Sequence, residues 1–294
     1  MLYPTTQHGE EALLETVTKL ADDDFFSVLE LAWIKDPALR KSIREMAESA
    51  HISVTYGAQL ALLSQKLDLN SLNDAERRRA VAEVKLCIDE ASELGAERVS
   101  LLSGPDPGET QRNDATRRLL ESLDEICAYG QQKDLPITLE TFDRDVEKKC
   151  LIGPSAEAAA LARAIRRDYR TFGIMYDMAH GPLLNEDPRR ALALLKNYLV
   201  HIHVGNCVKV QGQPAYGDKH PRFGIKRGEH DVEDLTRFLR ILYDIGYLGR
   251  RTRRNGGLPI VGFEVKPLPG EQPEAVIAGT KRVWRQAWAQ LQTR

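Results

Sequence analysis

Four short apolar runs each end in a residue type that binds metal: ITLE at Glu140, GIMYD at Asp177, LVHIH at His203 and VGFE at Glu264. In each run the ligand type shares its two-residue phase with small or polar side chains: Thr138, Met175 and Ala179, His201, Gly262 and Lys266. The opposite phase is apolar, with Leu139, Tyr176, Ile202 and Phe263. Such alternation describes a strand with one face on a helix layer and the other on an interior that accepts carboxylate and imidazole. One unpaired carboxylate away from water costs several kcal/mol or loses its charge, so three that converge with an imidazole need a shared partner. Three oxygen donors and one imidazole suit a hard to borderline divalent cation such as Mn, Mg, Co or Zn. The lack of a thiolate argues against a structural zinc cage.

The elements that must carry these residues alternate along the chain. Helical periodicity and caps predict helices over about 10–21, from Asp36, 73–94, 113–132, 154–168, 187–198, 231–245 and 273–291. Between them lie predicted strands at FFSVLELAW, ISVTYG, RVSLLSG, 136–142, 172–178, 200–205 and 259–265. Strict alternation of strand and helix means parallel strands joined by right-handed crossovers. Seven strands fall one short of a closed eightfold barrel. MLYP, ending in Pro4, is expected to be the stub of a first strand that is short or truncated at the N-terminus. An open doubly wound sheet is the competing architecture, but no GxGxxG or GxxxxGK[ST] phosphate loop is present. The expectation is therefore a single (β/α)8 TIM barrel domain over residues 1–294, with all four ligand types at strand C-termini, where barrels build active sites.

The longest connection on that side runs from Gly205 to about His230 and contains GDKHPRFG, with Asp218, His220 and Arg222. A loop this long in a compact domain usually has a functional role, and it is expected to close over a substrate. The basic run RRTRR (Arg250 to Arg254) precedes the last strand, so it belongs to the opposite face and reads as solvated surface or a subunit contact.

The balance of 41 Lys+Arg against 43 Asp+Glu, a net charge of -2, creates no global field for nucleic acid or an anionic membrane. Cys87, Cys127, Cys150 and Cys207 form no CxxC pair and imply no disulfide framework. No apolar run approaches the roughly 20 residues of a membrane span, and MLYPTTQHGEEALL is not a secretion signal. A cytoplasmic enzyme is the expectation.

Taken together, Glu, Asp, His and Glu on successive late strands, the Asp-x-x-His of Asp177 and His180, the HxH of His201 and His203, and the Asp-x-His of Asp218 and His220 make the chain resemble a known group. It resembles the sugar phosphate isomerase/epimerase superfamily of xylose isomerase-like TIM barrels, over nearly its whole length from Glu10 on. The resemblance implies a main metal site of Glu140, Asp177, His203 and Glu264, with His203 rather than His201 as the ligand because it lies nearer the strand end. It also implies that His180, Asp218 and His220 occupy the positions that supply a second cation in members with additional metals; whether they bind metal or substrate stays open. Histidines that endonuclease IV-like members carry after the third and fourth strands are missing from TYGAQ and LLSGP, which speaks against DNA repair.

The implied chemistry is isomerisation or epimerisation of a small carbohydrate by proton abstraction α to a carbonyl, through an enediolate. Glu264 is the expected base and Glu140 returns the proton. His180 binds a hydroxyl or relays a proton, and Arg222, Lys266, His220 and Asp218 meet the substrate. Glu30 is expected to orient a ligand, and Trp33, Tyr56 and Phe142 would suit stacking on a sugar ring or simple packing. The alternative is a lyase of the C-glycoside deglycosidase type acting on a 3-oxo-sugar; a non-catalytic sugar-binding barrel is the third reading. A homo-oligomer is expected, or a small partner subunit in the deglycosidase case.

Overall fold

The computed structural model describes residues 1–3, 6, 10–249 and 259–292. They divide into two compact units, one of Thr5–Glu140 with Leu161–Gly173, the other of Met1–Pro4, Thr141–Ala160 and Ile174–Arg294.

The first unit carries α1 (Glu10–Ala21), β1 (Val28–Leu31), α2 (Pro37–Ser49), β2 (Ser53–Gly57), α3 (Gln59–Ser64), α4 (Asp74–Glu93), β3 (Val99–Leu102), α5 (Arg112–Gln132) and β4 (Ile137–Glu140). Its strands pair β1 with β2, β2 with β3 and β3 with β4, all parallel. The long helices begin where the chemistry of the chain says they should. Asp36 accepts the N–H of Ala38 ahead of Pro37, and Asn73 accepts those of Ala75 and Glu76 at the start of α4.

The chain continues through α6 (Ser155–Ile165), β5 (Gly173–Asp177), α7 (His180–Leu183), α8 (Pro188–Leu195), β6 (Leu199–Gly205), α9 (Val232–Asp244), β7 (Ile260–Glu264) and α10 (Pro273–Gln292). In the second unit β5 pairs with β6 and β6 with β7, again parallel. Every residue of β3, β4, β5 and β6 is buried, as expected for parallel strands covered on both faces. The apolar phase faces helices: Tyr176 of β5 stacks on Phe238 of α9, and Phe263 of β7 packs edge-on against Trp284 of α10.

The eight expected helices and seven of the expected strands are present, each strand but β6 shorter than drawn from sequence; FFSVLELAW is extended only over Val28–Leu31. Two helices were not expected, α3 and α7, of six and four residues. Both are single turns just after a strand, too short to show a helical period. Met1–Tyr3 form no strand, so seven strands stand among the described residues; Pro4 and the basic run from Arg250 to Arg254 lie outside them. None of the four cysteines, all buried, is in a disulfide, and burial pushes the thiols of Cys87 and Cys127 up to about 12. No described helix is long and apolar enough to cross a membrane.

A glycine inside α5 explains how that helix meets its strand. A Cβ on Gly130 would stand 2.6 Å from the carbonyl oxygen of Leu135, while Gly130 O accepts the Leu135 N–H at 2.9 Å. Alanine normally favours a helix interior over glycine by about 1 kcal/mol. Here the obstacle is backbone and cannot rotate away, so Gly130→Ala is expected to destabilise by about 1–3 kcal/mol, read as a lower urea midpoint. A raised midpoint would show that the turn into β4 has slack.

Candidate metal centre

Register builds the centre. Asp177 of β5 pairs with His203 of β6, and Gly205, in the same phase as His203, pairs with Glu264 of β7. Neighbouring parallel strands thus deliver a carboxylate, an imidazole and a second carboxylate to one face, and one ligand atom from each lies within 4.8 Å of the others. Asp177 is fully buried and His203 nearly so, while the Glu264 side chain keeps 18 % of its surface. His203 Nδ1 stands 2.7 Å from Glu264 Oε2 and 3.7 Å from Asp177 Oδ2.

Electrostatics at this face are crowded. Burial, and then the charge of Glu264, raise the Asp177 carboxyl to about 7. Burial also acts to raise Glu264, but the imidazoles of His220 and His203 outweigh it and hold that carboxyl well below its usual range. Asp177 Oδ2 is a buried oxygen that accepts no hydrogen bond, and His220 Nδ1 is likewise without one, while Glu264 Oε2 faces the His203 ring. Buried polar atoms are nearly always satisfied, so the two orphans at this face ask for a ligand. Two carboxylate oxygens and an imidazole nitrogen are donors that fit a divalent cation.

The long loop after β6 is already seated here. Asn206, fully buried, donates from Nδ2 to Arg222 O at 3.0 Å and accepts the His230 N–H at 2.9 Å; Glu229 N donates to Cys207 O. These bonds pin both ends of the loop and leave residues 209–212 at its exposed tip. Asp218 and His220 are buried, and both belong to the centre in the structure as it stands. His220 has φ 49°, a conformation that strains a non-glycine residue by about 1–3 kcal/mol. Its carbonyl accepts the Lys266 N–H at 2.7 Å, which holds the ring with Nδ1 3.9 Å from Asp177 Oδ2.

Asp218 joins two histidines. Its Oδ1 lies 2.6 Å from His220 Nε2 and 3.0 Å from His180 Nε2. The other nitrogen of His180 donates to Thr141 O at 2.7 Å, and Phe142 packs on the ring at 4.6 Å between centroids. Burial acts to raise Asp218, but His220 and His180 hold it well below the carboxylate range. Burial acts against charge on His220, but Glu264 and Asp218 raise it to about 9. Asp177, His180 and His220 form a second group with ligand atoms within 4.8 Å of one another.

The remaining expected residues are placed as follows. Glu140 ends β4, nearly buried, and its Oε2 accepts from Gln59 Nε2 at 2.7 Å; one peptide bond further on, Thr141 N donates to Met175 O of β5. Arg222 is exposed and pairs through Nε with Glu271 Oε1 at 2.9 Å; the Lys266 side chain is exposed. His201 is buried with its ring edge-on to His203, 4.9 Å between centroids. Glu30 is exposed on β1. Tyr56 is fully buried; its hydroxyl donates to Glu90 Oε2 at 2.5 Å and accepts the Trp33 N–H, so it packs rather than stacks on a ligand. Phe142 packs on His180. Sequence reading passed over Gln59, Asp143, Glu147, Lys148 and Asn206. Only Asn206, directly after the strand-ending Gly205, carried a local signal.

The fold is that of several solved structures, each too distant in sequence to show more than the fold. A D-tagatose 3-epimerase-like protein superposes with a TM-score of 0.71 at 18 % identity, over 93 % of this chain and 92 % of that one. D-psicose 3-epimerase from Clostridium cellulolyticum H10 gives 0.68 at 17 %, over 95 % and 93 %. The IolI protein, solved with a bound zinc atom, gives 0.73 at 13 %, over 96 % and 95 %. No curated protein matches the sequence significantly. The family model described as a xylose isomerase-like TIM barrel matches residues 19–252, through both compact units and well over half of the chain. The chain therefore belongs to the xylose isomerase-like TIM barrel family.

Proposed function

We propose that the protein is a divalent-metal-dependent isomerase or epimerase of a small carbohydrate, working by proton abstraction α to a carbonyl. The observation that carries this reading is the convergence of Asp177, His203 and Glu264 on one face, with Asp177 Oδ2 buried and without a hydrogen bond. Neighbours described as a D-tagatose 3-epimerase-like protein, D-psicose 3-epimerase and L-ribulose 3-epimerase support the substrate class, and zinc in IolI supports the cation.

Asp177, His203 and Glu264 would hold the ion, with Glu140 as the proposed fourth ligand on the strength of its position at the end of β4. When bound, a divalent cation supplies Lewis-acid polarisation of a carbonyl and its neighbouring hydroxyl. Glu264, ionised beside His203 and His220, is the proposed base that takes the proton α to the carbonyl. Glu140 is the proposed acid, its carboxylate oriented by Gln59. Return of the proton to the opposite face inverts a centre, and return to the adjacent carbon exchanges aldose and ketose. His180 is proposed to relay protons through Asp218, to which both it and His220 are joined. Arg222 and Lys266 are the proposed cations for a substrate hydroxyl or phosphate; on Arg222 the substrate would compete with Glu271.

Metal-loaded protein incubated with a panel of ketoses and aldoses in deuterated water is expected to exchange one carbon-bound proton. Product identity then separates epimer, isomer and elimination product, the last being the mark of a lyase on a 3-oxo-sugar. No exchange with any sugar would sink the proposal.

Glu264→Gln is expected to cut exchange at least 100-fold with an unchanged circular dichroism spectrum. A variant retaining a tenth of the rate would remove Glu264 from the role of base. His203→Ala is expected to lose metal first, measured as metal per chain by elemental analysis; full occupancy would mean that another histidine is the ligand.

A further inference from the structure

The segment between β4 and α6 reaches the centre through contacts that the proposed proton transfer does not use. Asp143 is fully buried and accepts the backbone N–H groups of Val146, Glu147 and Lys148 at 2.7, 2.7 and 2.8 Å. Three donors on one carboxylate fold the segment into a tight turn. Val146 packs against Ala179, Leu183 and Cys207, which seats the turn on the segments following β5 and β6. Glu147 then accepts the Asp218 N–H on Oε2 at 2.9 Å and the Lys219 ammonium on Oε1 at 2.5 Å. Gly217 makes the approach possible: its φ is 92°, and a Cβ there would stand 2.6 Å from Glu147 Oε2.

The next residue completes the arrangement. Lys148 Nζ lies 3.1 Å from Asp218 Oδ2, with 23 % of its side chain exposed against 2 % for Asp218. The aspartate therefore receives His180 and His220 on one oxygen and an ammonium on the other. A buried carboxylate at a site of this charge needs a cation, and a tethered ammonium answers that need without an ion from solution. The same contact occupies the outward oxygen of Asp218.

We propose that Lys148 is a positioning residue: its ammonium holds Asp218 against His180 and His220 and fills the place at Asp218 Oδ2 that a second divalent ion would take, leaving a centre for one ion. This rests on the metal-dependent reading above. Asp218 is then a brace for two imidazoles rather than a metal ligand. Removing the ammonium frees the carboxylate to turn from the histidines and opens Oδ2 to a cation.

The test compares wild type with Lys148→Met, Lys148→Gln and Lys148→Arg. In metal-free protein labelled with 15N-histidine, wild type and Lys148→Arg are expected to show the Nε2–H signals of His180 and His220 held by Asp218. Lys148→Met and Lys148→Gln are expected to shift or lose them. In equilibrium dialysis with Mn2+, wild type should bind one equivalent per chain and the two uncharged variants a second. Partners of this kind usually affect turnover by about 10- to 100-fold, so kcat of the uncharged variants should fall by that factor, with KM less changed. Lys148→Arg should recover most of the loss.

Unchanged histidine signals in both uncharged variants, two equivalents of metal in wild type, or an arginine variant no better than the methionine one would each overturn the proposal. If Lys148→Met fails to fold, Lys148→Gln, which keeps a donor without the charge, decides. Should wild type exchange no proton with any sugar, the functional reading fails. The ring signals of the metal-free protein still decide the role of Lys148.

Discussion

Negative charge that cannot reach water is the constraint on which this structure turns. Asp177 is fully buried, Asp218 nearly so, and Glu264 stands beside Asp177 at the end of the neighbouring phase. Buried anions persist only where cations or donors meet them. The protein answers with three imidazoles, a lysine and backbone N–H groups, and the answer differs from one carboxylate to the next. Asp218 is saturated by His180, His220 and Lys148, and it stays ionised. Asp177 accepts the Ala179 N–H on one oxygen and nothing on the other, and burial lifts it to about 7. Satisfied and unsatisfied acids lie side by side, which is how a site separates the group that braces from the group that binds.

Two kinds of scaffold deliver these groups. Strand register fixes Asp177, His203 and Glu264: Asp177 and His203 are direct partners, and Glu264, opposite Gly205, follows in the same two-residue phase, so the three side chains share one face. Loops deliver Asp218, His220 and Lys148, and loops must be held by specific bonds. Asn206 and the carbonyl of Cys207 close the segment after β6 upon itself, and Asp143 winds the segment after β4. The left-handed backbone of His220 is a strained point of this assembly, held by the bond from Lys266 N.

The strand-borne half of the centre was legible in the sequence, since period-two alternation with a carboxylate or imidazole at the end of each run needs no tertiary knowledge. Alternation with helices likewise gave the barrel class, which the family match shows. The loop-borne half was legible only in part. Asp218 and His220 stand out as residue types, but Lys148 lies among the charges of DRDVEKK, where nothing in the spacing separates an ammonium that meets Asp218 from one in solvent. Residue type alone left Tyr56 open between a sugar ring and packing; its hydroxyl is committed to Glu90 and the Trp33 N–H. Short helices α3 and α7 escaped because a single turn carries no period.

Pinning the loop after β6 at its two ends separates what must stay fixed from what is free to vary. Residues 209–212 project into solvent between Asn206 and Gly217, whose N–H donates to Val208 O at 2.9 Å, while the buried Asp218 and His220 follow this second anchor. Exposed loop tips tolerate insertion and exchange far better than packed segments do. The tip is therefore a cassette: lineages, or a designer, can lengthen or rewrite it to meet new molecules, while the residues at its base keep their places.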